Sequence, residues 1–595
     1  MKKILSLALA LLMLLGSMSA LAEHEVPYYE ITSDVLSLNP SSEPIRLEVY
    51  SQLANYNGLQ TGWSAVLLKD LFNVEVVIIP DQDGTYETRM ATGNLGDIVV
   101  WGANGEDYKQ AVQKDMLLNW DDIVYGKETS YVEEYAPYIS ANYGPALATN
   151  RQVSEDDGNL YGFGFGVALQ DGAHQSFMYS WDIRWDLYAQ LGYPEMKNLD
   201  DLLNVLAAMK EICPKDELGN ETYGASLWPD WDGNMVMYVK ALATAYYGYD
   251  ELGFGLYNPT NGEYYDALDP NGPYIEMLKF FNKMFRMGLL DPNSMTQTYD
   301  EMGTKVKNGG VFWGIFNYAS SAAFNTTAHL EQGKMMYARV PDEANPIVYG
   351  LSNLGGNRIW SIGNYTAYPE LCMAILDFLA TPEGSMTMWY GPRGLTWDYD
   401  ENGGMYFTEL GKLTSTDSKY DMNGIEWTSP YTGKTYTLSG TFNDGCLQIN
   451  NTTLARDMVN PDGALGETFN KDTWVSVLTS EVYPIQEDWR NWSGVTLVDQ
   501  YFEQIGKYTV MPDLPYSESA KSDELKVKWD QCAKSITTNS WRASFAKADG
   551  EFNMHIRNMT NQCNAYGYAE CLEWSRQEAA IKWQLQQEQE ALKAQ

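Results

Sequence analysis

Polar and apolar positions change period repeatedly along the first hundred residues. Arg46, Leu47, Glu48, Val49 and Tyr50 alternate, the mark of a half-buried strand. Over 58–72 the apolar residues Leu59, Trp63, Val66, Leu67 and Leu71 recur at helical spacing. The run 74–79 is rich in β-branched residues and closes on Pro80, which predicts a second strand. Residues 96–101 predict a third, entered through Gly93 and Asn94. Strands alternating with helices imply parallel βαβ units with right-handed crossovers. In such sheets ligands sit beyond the carboxyl ends of the strands. Those ends fall near Tyr50 to Gln52, Pro80 to Asp81 and Trp101 to Asn104.

Farther along, 198–212 predicts a helix with Leu199, Leu202, Leu203, Leu206 and Met209 on one side. Residues 274–287 predict another, with Pro273 at its start and Gly288 at its stop. A short helix is expected over 371–379. From 383 to about 470 the text turns rich in Gly, Tyr and Thr, which predicts hairpins and loops. The region from 522 onward reads as helical, and its last segment, 582–595, is polar all round and expected to fray.

The N-terminus changes what counts as structure. Lys2 and Lys3 precede an apolar run over 4–15, and Ala20 and Ala22 occupy the small positions of a cleavage site. Residues 1–22 are therefore expected to be a secretory signal peptide, followed by an extended leader over 23–45 that carries Pro27, Pro40 and Pro44. No cysteine lies near the expected cleavage point, so the chain is expected to be exported to a periplasmic or extracellular location without a lipobox anchor. A length of 595 residues exceeds one hydrophobic core, so at least two domains are expected. The net formal charge of −39 repels phosphate backbones and anionic lipids, which argues against a nucleic-acid or membrane-surface partner.

Candidate chemistry is sparse. The chain has no nucleophile elbow, no His-Glu-x-x-His and no phosphate-binding loop of Walker type. Four His make a His-rich metal site improbable. Asp216 to Glu221 could offer oxygens to calcium but lacks the spacing of a known loop, so no cofactor is expected. Six Cys allow fifteen full disulfide pairings, and none has zinc-ribbon spacing. The 19 Trp, 42 Tyr and 18 Phe suit the flat apolar faces of sugar rings, and equally suit ordinary cores.

Several stretches occur together in one order: Met90 through Gly96, Asp97 and Ile98; Asp157 through Tyr161, Gly162 and Phe163; Trp181 through Tyr188, then Gly192 to Pro194 and Leu199 to Leu202; Gly288 to Pro292 followed by Lys307 to Trp313; and Phe378-Leu379 to Glu383-Gly384. This order resembles the extracellular solute-binding proteins of family 1, which serve ATP-binding-cassette importers, and within them the long LipO-type branch. The resemblance implies a two-lobe α/β fold of the type II periplasmic-binding-protein kind, with hinge-linked lobes, a ligand cleft and a helical C-terminal region. The lobes are expected at 46–165 with 311–395, and at 166–310 with 396–595. It implies a monomer that binds a carbohydrate, an oligosaccharide above all, and delivers it to the importer's permease subunits without chemistry of its own. A receptor for a peptide or another small polar solute is the alternative, and a secreted glycoside hydrolase a more distant one.

Ligand-binding candidates are residues at strand ends and in turns: Tyr50, Gln52, Trp101 and Asn104 from the first lobe, and Trp313, Asn317 and Tyr318 after a later strand. The turn Trp228, Pro229, Asp230, Trp231, Asp232 places two indoles and two carboxylates in one loop. Trp360, Trp389 and Arg393 complete the set, Arg393 being better suited to a buried carboxylate than to a ligand acid.

Overall fold

The computed structural model describes residues 24–30, 37–39, 43–82, 84–154, 158–164, 166–169, 174–351, 353–355, 358–450, 454–480 and 482–593. The signal peptide expected over 1–22 lies outside them, as does Asp157. The first sheet has six strands, in the order Gly58–Leu59, Val74–Pro80, Ile45–Ser51, Ile98–Trp101, Ile359–Ile362 and Phe163–Gly164. Ile45–Ser51 runs parallel to both Val74–Pro80 and Ile98–Trp101, while Ile359–Ile362 returns antiparallel, Trp360 facing Val100. Both faces are covered, as a parallel sheet requires. Leu47, Trp63, Ile78, Trp360 and Phe378 share one core, and Tyr50, Val99, Trp101 and Tyr108 pack on the opposite face. Gly96 stands at φ +123° where its carbonyl meets Gly363, at which a Cβ would come within 2.0 Å of that oxygen. Two glycines there let the strand entry cross the returning chain.

The second lobe is built on the strands Trp313–Phe316, Tyr179–Arg184 and Met336–Ala338. Extended segments near Tyr223 and Ala225 continue this layer, bridging in parallel to Val311 and Leu290. Its core includes Phe177, Trp181, Leu206, Phe281, Trp313 and Trp574. The helices Asp523–Ser544, Asp549–Tyr566 and Tyr568–Lys593 close it, and Asn282 Nδ2 ties helix Pro273–Arg286 to the carbonyls of Ala543 (3.0 Å) and Ala546 (2.7 Å). The last helix does not fray at 582, because Lys582 pairs with Asp250 at 2.9 Å and Gln586 donates to the Pro259 carbonyl at 2.8 Å.

The lobes divide the chain differently from the sequence expectation. Trp313–Phe316 pairs with Tyr179–Arg184, so 311–349 belongs to the second lobe, and the chain rejoins the first sheet only at Ile359. The first core then keeps residues as far as Phe469 and Trp474, well beyond 395. A short apolar run does not encode which sheet it will join, since that is decided by pairing partners distant in sequence. Crossing segments meet at the junction: Val167 bridges Leu454 in parallel, Gln175 N donates to Tyr349 O at 2.8 Å, and Ser176 N donates to Asp457 Oδ2 at 2.6 Å.

Candidate ligand-binding site

Both lobes end strands in residues able to meet a ligand. In the second lobe the parallel segments through Ala225 and Val311 run out at Trp228 and Phe316. There an aromatic cluster forms. Trp228 is fully buried and carries Trp231 edge-on at 5.3 Å and Tyr299 at 5.1 Å. Trp231, 41% exposed, lies over Tyr299 at 4.6 Å and within 6.2 Å of Tyr318, whose ring stacks on Phe316 at 5.1 Å. The outer face of Trp231 is an apolar plane beside two phenols.

Carboxylates hold this cluster in place. Asp230 Oδ2 accepts from Tyr299 N at 2.7 Å, at the start of helix Tyr299–Lys307. Asp232 accepts from Met237 N at 2.8 Å and from the Trp541 indole at 2.6 Å. Burial lifts the Asp232 carboxyl to about 6 against those hydrogen bonds. The buried Asp182 accepts from Ser320 Oγ at 2.7 Å and Ser321 N at 3.0 Å, which fixes the turn carrying Asn317 and Tyr318. Its pKa is raised by the same desolvation.

In the first lobe Gln52 joins two strand ends, accepting from Gly102 N and donating to Asp107 Oδ2, both at 2.9 Å. Tyr50 is buried beneath. Asn104 meets the other lobe: its side-chain amide donates to Tyr516 O at 3.2 Å and its backbone carbonyl accepts from Ser517 Oγ at 3.0 Å. Lys526 and Glu106 form an ion pair beside it. At another edge Lys307 faces Asp417 at 3.6 Å. The lobes are thus in contact on either side.

Other expected contacts are structural instead. Trp101, Trp313 and Trp360 are core side chains, Trp101 donating to Ser361 Oγ at 3.1 Å. Trp228 supports the cluster from below, and Asp232 is committed to Trp541. Asn317 donates to Phe177 O at 3.4 Å. Trp389 packs on Phe469 in the first lobe. Arg393, 3% exposed, pairs with Glu383 at 3.0 Å and Asp398 at 2.8 Å and donates to the carbonyls of Val26 (2.6 Å) and Pro27 (2.8 Å). Tyr28 covers its guanidinium at 4.0 Å. Residues 24–30 of the leader are therefore seated on the first lobe, where they line a cavity of about 870 Å³ whose walls include none of the aromatic cluster. Tyr299 was not foreseen, although Thr298 and Glu301 form the capping box that starts its helix and sets its direction.

The carboxylates of the segment weighed for calcium have protein partners. Asp216 accepts from Leu218 N and Asn220 N, Glu217 faces Lys334 and His329, and Glu221 pairs with Lys210. Among the described residues no group of three or more His, Cys, Asp or Glu is arranged to hold a metal ion.

Two α/β lobes joined by crossing segments, with an aromatic plane at the strand ends of one, define a two-lobe binding protein. The chain belongs to the bacterial extracellular solute-binding protein family, whose pattern matches residues 56–386. Members of this family are binding proteins, not enzymes. No curated protein matches the sequence significantly. Among solved structures it is similar to the alginate-binding protein AlgQ2, at 16% identity and a TM-score of 0.56, over 91% of this chain and 99% of that one. The N-glycan transport solute-binding protein NgtS of Streptococcus pneumoniae, in complex with Man1GlcNAc, gives 12% and 0.51 over the same shares. The substrate-binding protein FusA of S. pneumoniae, in complex with kestose, gives 15% and 0.51, again over 91% and 99%.

Proposed function

We propose that the protein is the extracytoplasmic substrate-binding component of an ATP-binding-cassette importer, taking an oligosaccharide between its lobes and presenting it to the permease subunits. The exposed Trp231 plane, backed by Trp228 and flanked by Tyr299 and Tyr318, carries this reading. Such a plane suits the C–H face of a sugar ring, and the phenols offer hydroxyls at its edge. Gln52 and Asp107 offer polar atoms from the first lobe. Three similar structures are named for alginate, an N-glycan fragment and kestose, all carbohydrates. Closure then follows from contacts made on both lobes at once. The signal peptide expected over 1–22 accords with export.

Thermal unfolding of residues 23–595 against a panel of oligosaccharides, with peptides as controls, tests the assignment. A ligand at 100 times its Kd stabilises the folded state by about 2.7 kcal/mol. An upward shift with one glycan class, abolished by Trp231→Ala, is expected. A shift with peptides alone overturns it.

A further inference from the structure

Three of the six cysteines meet inside the C-terminal helices. Cys532 lies on helix Asp523–Ser544, Cys563 on Asp549–Tyr566 and Cys571 on Tyr568–Lys593, and all are fully buried. The contacts between the first two are reciprocal. Cys532 Sγ lies 3.8 Å from Cys563 O, and Cys563 Sγ lies 3.8 Å from Cys532 O. Two side chains that each overlie the other's backbone come from facing positions on neighbouring antiparallel helices, the approach a disulfide needs. Cys571 also faces the Cys532 thiol. The remaining cysteines stand elsewhere. Cys372 and Cys446 pack with the first core, and Cys213 sits after helix Leu199–Ile212.

We propose that Cys532 and Cys563 are a disulfide site, stapling the first two C-terminal helices, with Cys571 remaining as a thiol beside the bond. The Cys532 thiol donates to Cys563 and draws its pKa down, whereas Cys532 and Cys571 are held above the ordinary thiol range. A cysteine attacks as its thiolate, and before the helices pack either of the pair can be first; in one order the attacker is Cys563. Its thiolate attacks one sulfur of an oxidant disulfide, forming a mixed disulfide and expelling one thiolate. Cys532, once deprotonated, attacks Cys563 Sγ, forms the internal bond and expels the second thiolate. Both expelled sulfurs take up the protons lost by the cysteines, so two thiols are oxidised and one disulfide is reduced. Because the sulfurs are buried, exchange takes place before the helices close. The oxidant is a low-molecular-weight disulfide or an extracytoplasmic dithiol–disulfide oxidase, and for its supply alone the proposal rests on the extracytoplasmic placement above.

The test uses the full mature chain, refolded from reducing denaturant in a reduced and oxidised glutathione buffer. The product is quenched in acid, alkylated with iodoacetamide under denaturing conditions and analysed by intact mass and peptide mapping. All but two of the six cysteines are expected to be alkylated, with a linked peptide pair containing Cys532 and Cys563 that vanishes on reduction. Cys571→Ser is expected to keep the link and Cys532→Ser to lose it. Full alkylation of the refolded chain, or a link through Cys571, overturns the proposal. The same map on chain recovered from cells separates the two readings. A link formed in the buffer but missing from the cellular sample upholds the cysteine pair and counts against the extracytoplasmic placement.

Discussion

At the scale of single residues, exposure and partners separate binding from packing where residue type does not. Trp228 and Trp231 stand three positions apart in one turn, yet one is fully buried and the other 41% exposed. Trp228→Ala is expected to cost about 3–5 kcal/mol of stability, the range for emptying a large aromatic site, read from denaturant midpoints. Trp231→Ala should change stability by less than about 1 kcal/mol while weakening glycan binding at least tenfold, read by titration calorimetry. Titration separates residues too. Asp377 is buried and receives Ile139 N at 2.8 Å, and desolvation lifts its carboxyl from 3.8 to about 7. A carboxyl raised on folding favours the native state when protonated. Its contribution is fully present below about pH 4 and lost as pH rises toward 7, a change on the order of 4 kcal/mol. Asp377→Asn should therefore raise the denaturant midpoint at pH 7 and flatten its dependence between pH 4 and 7. An unchanged slope would refute this. The sequence singled out the turn holding Trp228 and Trp231 as the best local signal and offered Tyr318 as a candidate, but it also offered Trp101, Trp313 and Trp360. Residue type and strand-end position do not say whether a side chain turns into its own core. For Arg393 the buried carboxylate was the favoured partner, and Glu383 and Asp398 supply it, while its bonds to the carbonyls of Val26 and Pro27, more than 360 residues away, had no local signal.

At the scale of elements, local pattern served well where local forces decide. Val74–Pro80 forms the strand its β-branched run predicts, and helix Leu199–Ile212 begins where Asn198 accepts from Asp200 N and Asp201 N. The helix expected over 371–379 extends across Pro369–Ala380. Sheet membership was not legible, because the antiparallel partner of Trp313–Phe316 lies some 130 residues upstream. The loop after Trp228 shows how an element can be made rigid without regular structure, since Asp230 and Asp232 fasten it to two different helices. The capping box of Thr298 and Glu301 does the same for Tyr299. Thr298→Ala is expected to cost about 1 kcal/mol of stability and to weaken glycan binding as Tyr299 loosens beneath Trp231. Loss of stability with unchanged affinity would show that Tyr299 takes no part in the platform.

At the scale of the whole molecule, two sheets with separate cores, joined by crossing segments, give the arrangement that hinge closure uses. Contacts from Asn104 to Tyr516 and from Lys526 to Glu106 bridge the two lobes, so they favour the arrangement in which the lobes meet. Removing the ion pair with Lys526→Ala should raise the apparent Kd two- to fivefold, about 0.4–1 kcal/mol, with the difference shrinking at high salt. An effect independent of salt would point to lost packing instead. The leader's seat on Arg393 bears on how the molecule could be handled. Anything joined upstream of residue 24 departs from the first lobe, so attachment there to a chip, bead or pulling handle would hold that lobe and leave the other to swing. A fluorophore on the second lobe, paired with one on such a handle, would turn ligand capture into an optical distance signal.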